Sequence, residues 1–144
     1  MPRKRISDRD AKGRAVLQSS DQTARTILVV EDDCFIRTTI AEYLHECGWH
    51  VVEAETATEA VAILKSNNTT VDLVFSDIQM PGAMDGFGLA AWIRQHLPGV
   101  RIILTSGDVK VCGASTELCD EGPILKPYDQ RRLVERIRFH LQGN

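Results

Sequence analysis

A chain of 144 residues with 43% apolar content has the size and balance of one globular domain around a single core. A formal net charge of −3 argues neither for nor against nucleic acid, and no apolar run approaches the ~20 residues of a membrane-spanning helix. The cysteines Cys34, Cys47, Cys112 and Cys119 show no C-x-x-C spacing, which points to free thiols in a reducing cytosol and an expected cytoplasmic location.

Residues 1–25 hold seven Lys or Arg against three Asp, a local +4 that leaves −7 on the remainder. The stretch lacks sustained periodicity and reads as a disordered basic tail over residues 1–24, with at most a helical turn near Ala11–Leu17. The folded unit is expected over 25–142. Thr26–Val30 (TILVV) is a short apolar run that ends in Glu31, Asp32 and Asp33, so it predicts a strand. Asp33 then opens a helical period in which Phe35, Ile36, Ile40, Tyr43 and Leu44 are expected to share the buried face. Cys47-Gly48 stops that helix, with Gly48 as a left-handed cap. Trp49–Glu53 (WHVVE) predicts the second strand. Thr56 and Glu59 form a capping box ahead of a stripe of Ala57, Ala60, Val61 and Leu64, and Asn67-Asn68 ends this helix.

The run Val71–Gly86 (VDLVFSDIQMPGAMDG) organises the chain. Its apolar, β-branched and aromatic residues predict a buried central strand, and Asp77 stands where the strand ends. Asp85-Gly86 reads as a turn before a helix from Phe87 to His96, which Pro98-Gly99 breaks. Trp92 on this helix is expected to be core or half-buried, and the histidines His45, His50, His96 and His140 default to the surface. Val100–Leu104 predicts the fourth strand, followed by Thr105. Asp108–Cys119 is rich in poor helix formers and predicts a short, frayed helix. Gly122–Leu125 predicts the fifth strand, closed by Lys126-Pro127. Asp129 caps a last helix to about Gln142 with Leu133, Val134, Ile137 and Leu141 inward. Strands separated by helices imply an α/β fold: a five-stranded parallel sheet with helices on both faces.

In such a sheet the strand ends share one rim, where open α/β folds place their chemistry. That rim would collect Glu31, Asp32, Asp77, Thr105 and Lys126. Crowded carboxylates need neutralising, and oxygen donors suit a hard cation such as Mg²⁺. Lys126 supplies a point positive charge and Thr105 a hydroxyl donor. With Asp77 as a nucleophile, these are the parts that hold a phosphoryl group in flight.

The segments ILVVEDD, FSDIQMPGAMDG, IILTSG and ILKPY occur in this order and resemble the response-regulator receiver domain, a CheY-like member of the flavodoxin-like (βα)5 doubly wound folds. The resemblance runs from about Arg25 to Gln142. It implies that Asp77 accepts a phosphoryl group from the phosphohistidine of a histidine kinase or histidine phosphotransfer protein. It further implies Asp32 as a direct Mg²⁺ ligand, Glu31 acting through water and the Gln79 backbone carbonyl completing the metal shell, with Mn²⁺ as a substitute. Thr105 and Lys126 would each bind a phosphoryl oxygen, and Lys126–Pro127 would be a cis peptide. Two departures stand out. Pro123 occupies the place where the family often has a switching aromatic, and the Asp108–Cys119 segment is a weak helix. Tyr128, just past the lysine, is expected to be a half-buried anchor.

Read this way the chain is a stand-alone phosphorelay receiver with output through protein–protein contacts and without direct nucleic-acid or membrane binding. The alternatives are a phosphate sink or the receiver module of a hybrid histidine kinase. A haloacid-dehalogenase-like phosphohydrolase would need a second acid where Gln79 stands. A flavin-binding domain would need a Ser/Thr/Gly-rich loop after the first strand, where EDDCF would repel phosphate. A receiver that only binds partners would have no need of the intact Asp, Thr and Lys set.

Overall fold

The computed structural model describes residues 24–107 and 124–142. Within them the chain runs β1 (Thr26–Val30), α1 (Cys34–Glu46), β2 (His50–Ala54), α2 (Ala57–Lys65), β3 (Leu73–Asp77), α3 (Gly86–His96), β4 (Arg101–Ser106), β5 (Ile124–Leu125) and α4 (Gln130–Gln142). The tail up to residue 23, the Asp108–Cys119 segment and Pro123 lie outside the described residues. The strands form one sheet in the order β2-β1-β3-β4-β5, with every pair parallel. The register sets Asp77 of β3 opposite Thr105 of β4, and Thr105 opposite Ile124 of β5.

The period of two along each strand divides the core between the two faces of the sheet. Leu28, Val30, Val74, Ile102 and Leu104 face one way, onto Ala57, Ala60 and Leu64 of α2 and Leu89, Ala90 and Ile93 of α3. Ile27, Val29, Leu73, Phe75 and Ile103 face the other way, onto Ile40 and Leu44 of α1 and Leu133, Val134, Ile137 and Leu141 of α4. β3 is buried along its whole length, as expected of a central strand covered on both sides. Truncating a fully buried Leu or Ile in such a layer costs about 2–5 kcal/mol.

Local chemistry sets the helix ends. Asp33 caps α1 by accepting from Ile36 N at 3.0 Å, and Gly48 past its end takes φ +107°. Thr56 caps α2 through Glu59 N, while Glu59 Oε1 accepts from Glu55 N rather than from Thr56 N, so the reciprocal half of the box falls one residue earlier. Asp85 is the cap of α3, accepting from Gly88 N at 2.9 Å, which gives the Asp85-Gly86 step a more definite role than a turn.

Four expectations are corrected, the first being that β4 runs Arg101–Ser106 rather than Val100–Leu104, so that Thr105 lies inside the strand. β2 starts at His50 rather than Trp49 and reaches Ala54. The buried stripe of α1 is Arg37, Ile40, Ala41 and Leu44; Phe35 is 79% and Ile36 38% exposed. The helix is rotated because its i, i+3, i+4, i+7 positions include an arginine whose charge finds partners under the sheet rim. His140 is buried in α4 beside Leu141 rather than exposed. Trp92 is half-buried, as expected, and stacks on His96 with ring centroids 4.6 Å apart.

Candidate functional site at the carboxyl edge of the sheet

β1 delivers its acids through a turn held from three sides. Glu31 N donates to Ala54 O at 3.1 Å, which extends the β1–β2 pairing one residue past the strand. Asp33 N donates to Glu31 Oε2 at 3.2 Å. Arg37 Nη1 donates to Glu31 O at 2.8 Å. Asp33 is occupied in capping α1, whereas Asp32 is exposed at the rim.

β3 ends on Asp77, which is buried, and Gln79 N donates to Asp77 Oδ1 at 3.3 Å. Gln79 itself is exposed. Ile78 N donates to Thr105 O at 2.9 Å, so the β3–β4 ladder continues one step beyond Asp77. Gly86 opens α3 directly on this turn: Gly86 N donates to Ile78 O at 2.8 Å, and a Cβ there would lie 2.5 Å from Asp77 O. Glycine is required by this close approach.

β4 contributes Thr105, 1% exposed, whose Oγ1 has no hydrogen-bond partner among the described residues. β5 contributes Lys126, whose backbone N–H donates to Ser106 O at 2.8 Å and whose Nζ lies 3.1 Å from Asp77 Oδ2 and 3.9 Å from Glu31 Oε1. The Lys126–Pro127 peptide is cis. Tyr128 meets Phe75 edge to face with centroids 6.1 Å apart and is half-buried.

One carboxylate oxygen from each of Glu31, Asp32 and Asp77 lies within 4.8 Å of the others. Burial pushes the Glu31 carboxyl up from its ordinary value; the hydrogen bond from Asp33 N opposes this, the charge of Asp77 adds to it, and Lys126 pulls it back down. Burial, with the charges of Glu31 and Asp77 behind it, pushes the Tyr128 hydroxyl up to about 12. The rim thus holds more negative charge than one ammonium relieves. An all-oxygen donor set of this kind fits a hard divalent cation. The Thr105 hydroxyl, without a partner among the described residues, and the Lys126 ammonium, both beside Asp77, fit an anionic oxygen arriving from outside. A carboxylate nucleophile, a hydroxyl donor and a cation at one rim are suited to phosphoryl transfer.

The five side chains expected at the rim are the ones brought there. Arg37, which holds Glu31 from beneath, escapes a reading that assigns charged residues to solvent. The signal for it is its spacing with Ile40, Ala41 and Leu44.

Comparison with known proteins agrees with this geometry. Residues 27–138 match the family described as response regulator receiver domain. The chain is 34% identical over 124 residues to the transcriptional regulatory protein ResD of Bacillus subtilis, covering 85% of this chain and 50% of that protein. It is 30% identical over 135 residues to the sensor kinase CckA of Brucella abortus, covering 92% of this chain and 14% of that protein. It therefore spans half or less of the length of these curated relatives. Among solved structures, a CheY-like receiver domain protein of Methanospirillum hungatei superposes with a TM-score of 0.74 at 30% identity, covering 83% of this chain and 95% of that one. The response regulator TrrA of Thermotoga maritima, solved in complex with Mg²⁺-BeF, gives 0.72 at 31% identity, covering 81% and 98%. Sequence and fold agree, and the chain belongs to the response regulator receiver domain family.

Proposed function

We propose that this receiver, folded over 25–142, takes a phosphoryl group onto Asp77 from the phosphohistidine of a histidine kinase or a histidine phosphotransfer protein. The observation that carries the reading is the contact of Lys126 Nζ with Asp77 Oδ2 at 3.1 Å, at a rim where Glu31 and Asp32 converge on the same acid.

Asp32 and Asp77 would hold Mg²⁺, or Mn²⁺ in its place, directly, with the Gln79 backbone carbonyl, while Glu31 would act through water. When bound, the ion supplies positive charge that offsets these carboxylates and the oxygens of the incoming group. An Asp77 carboxylate oxygen attacks phosphorus, the P–N bond to the donor imidazole breaks, and its electron pair leaves on the ring nitrogen. Lys126 passes its hydrogen bond from the carboxylate to a phosphoryl oxygen, and the Thr105 hydroxyl donates to another. Asp77, already −1 as a carboxylate, thereby becomes an acyl phosphate of about −1.5 to −2, a gain of about half to one negative charge at the rim. That charge biases the surrounding surface toward a protein partner.

A groove of about 530 Å³ runs beside Lys126, lined by Phe35, Ile36, Thr39, Pro127 and Tyr128. Its exposed apolar wall adjoins the lysine of the site, which suits an apolar helix surface presenting the donor histidine. A family module of this kind signals rather than turning over a separate substrate. Among the described residues no helix is long and apolar enough to cross a membrane, and Cys34 and Cys47 are free thiols; both fit a cytoplasmic setting. The kinship with a sensor kinase supports a second reading, the receiver module of a hybrid kinase or a phosphate sink.

The test is labelling by a phosphohistidine donor or a small phosphodonor. One equivalent of acid-stable, base-labile label should appear only with Mg²⁺ and vanish in Asp77→Asn. Label that survives this substitution would overturn the assignment of Asp77. Return of the label to a phosphotransfer histidine would favour the relay or sink reading.

A further inference from the structure

Arg37 lies under the rim rather than in it. Its side chain is 10% exposed. Nη1 donates to the Glu31 carbonyl at 2.8 Å, Nε donates to Glu53 Oε1 at 3.1 Å, and Nη2 stands 3.8 Å from Glu55 Oε2. We propose that Arg37 is a positioning residue that orients the Glu31–Asp32 pair and thereby sets the divalent-ion affinity of the rim, an inference that rests on the metal reading above.

The argument starts from the peptide bond. The Glu31 carbonyl belongs to the planar unit that joins Glu31 to Asp32. Holding that oxygen fixes the plane, and with it the directions in which both Cα atoms project their acids. The neighbouring bonds do not do this alone: Glu31 N to Ala54 O fixes the preceding plane, and Asp33 N to Glu31 Oε2 fixes one carboxylate. The connection is also rigid from below, because Arg37 N donates to Asp33 O at 2.9 Å in the first turn of α1. Glu31, Asp32, Asp33 and the guanidinium therefore form one closed loop of contacts.

Charge supports the same role. A bare guanidinium this close to a cation site would repel the cation. Glu53 and Glu55, at the end of β2 and just past it, face the guanidinium and take up that charge. Arg37 can then act on the rim through its hydrogen bond rather than through its field. A residue that only bolted α1 to β2 would affect stability and leave ion affinity alone.

The experiment is calorimetric titration of Mg²⁺ into wild type, Asp32→Asn, Arg37→Met, Arg37→Lys and Glu53→Gln, each with a metal-free thermal midpoint. Groups that orient metal ligands typically change affinity by about 10–100-fold, and Arg37→Met is expected to weaken Mg²⁺ by that amount. Arg37→Lys keeps one donor for the carbonyl and should recover most of the affinity. Glu53→Gln leaves the guanidinium less compensated and should weaken Mg²⁺ in a way that added salt reduces. Folded Arg37→Met that binds Mg²⁺ within about twofold of wild type, while Asp32→Asn loses binding, overturns the proposal. If Arg37→Met does not fold without metal, Arg37→Gln, too short to reach the Glu31 carbonyl, takes its place, and wild-type Mg²⁺ affinity in it overturns the proposal. If Asp32→Asn binds as wild type does, the failure lies in the metal reading, and the proposal falls with it.

Discussion

Replacing Thr105 by valine separates what the rim needs for stability from what it needs for transfer. Valine matches threonine in shape and keeps the β-branch that suits β4. The threonine is 1% exposed and its Oγ1 has no partner among the described residues, so the fold carries an unmet hydroxyl. Such a group costs about 1–3 kcal/mol, and exchanging it for a methyl should return about 1–2 kcal/mol. For a domain of this size that is a rise of about 3–8 °C in the thermal midpoint without Mg²⁺. The same change removes a donor aimed at a transferring phosphoryl oxygen, which typically costs about 10²–10³ in rate. Differential scanning calorimetry reads the first effect, and rapid-quench labelling by a small phosphodonor reads the second. Thr105→Ser keeps the donor and should label at nearly the wild-type rate. A Thr105→Val protein that melts lower than wild type would mean the hydroxyl is already satisfied. One that labels at the wild-type rate would mean the hydroxyl never touches the phosphoryl group.

Two further outcomes follow from packing and charge. In Gly86→Ala the new Cβ would stand 2.5 Å from Asp77 O and from Ile78 Cα, backbone that cannot rotate aside. The start of α3 should lift off β3 at a cost of about 1–3 kcal/mol, read by urea denaturation, with slower labelling of Asp77. Gly88→Ala meets the Met84 side chain instead, which can turn away, so the loss at Gly88 should be the smaller; an equal loss would refute the close-approach argument. Tyr128 should titrate near 12 by its ultraviolet phenolate band, in a difference spectrum against Tyr128→Phe. A hydroxyl whose folded value lies above its unfolded value of about 10 favours the fold below that pH. Its contribution should therefore fade as the pH climbs from about 10 toward 12, and a Tyr128 that ionises at the unfolded value would refute the burial argument.

The frame of this fold is legible because its strands are short apolar runs ending in polar residues. TILVV and LVFSD form β1 and β3, and β2 departs from the expected segment by one residue. The carboxyl-edge cluster is legible for the same reason, since parallel strands put every terminal residue on one rim. The side chains that break the polar-out rule are not. Arg37 is buried because three acceptors surround it, and two of them come from β2 and its end, sixteen and more residues away. Phe35 and Ile36 are exposed for the complementary reason: the arginine stripe fixes the rotation of α1 and turns them to the groove. His140 falls on the buried stripe of α4, three residues past Ile137 and seven past Leu133, a place that its polar type rather than the periodicity obscures.

The functional spacing is written in backbone pairing. Asp77 stands opposite Thr105, Ile78 N holds Thr105 O, and Lys126 N holds Ser106 O. The loops that lead from a helix end back into the next strand, at the rim away from the acids, can therefore gain or lose residues at little expense, since doubling a flexible linker costs only about 0.6 kcal/mol. A single-residue shift inside β3 or β4 is another matter, because it would point the acid or the hydroxyl into the opposite layer. Descendants of this chain are free to drift in length in the loops at the far rim but not within the strands.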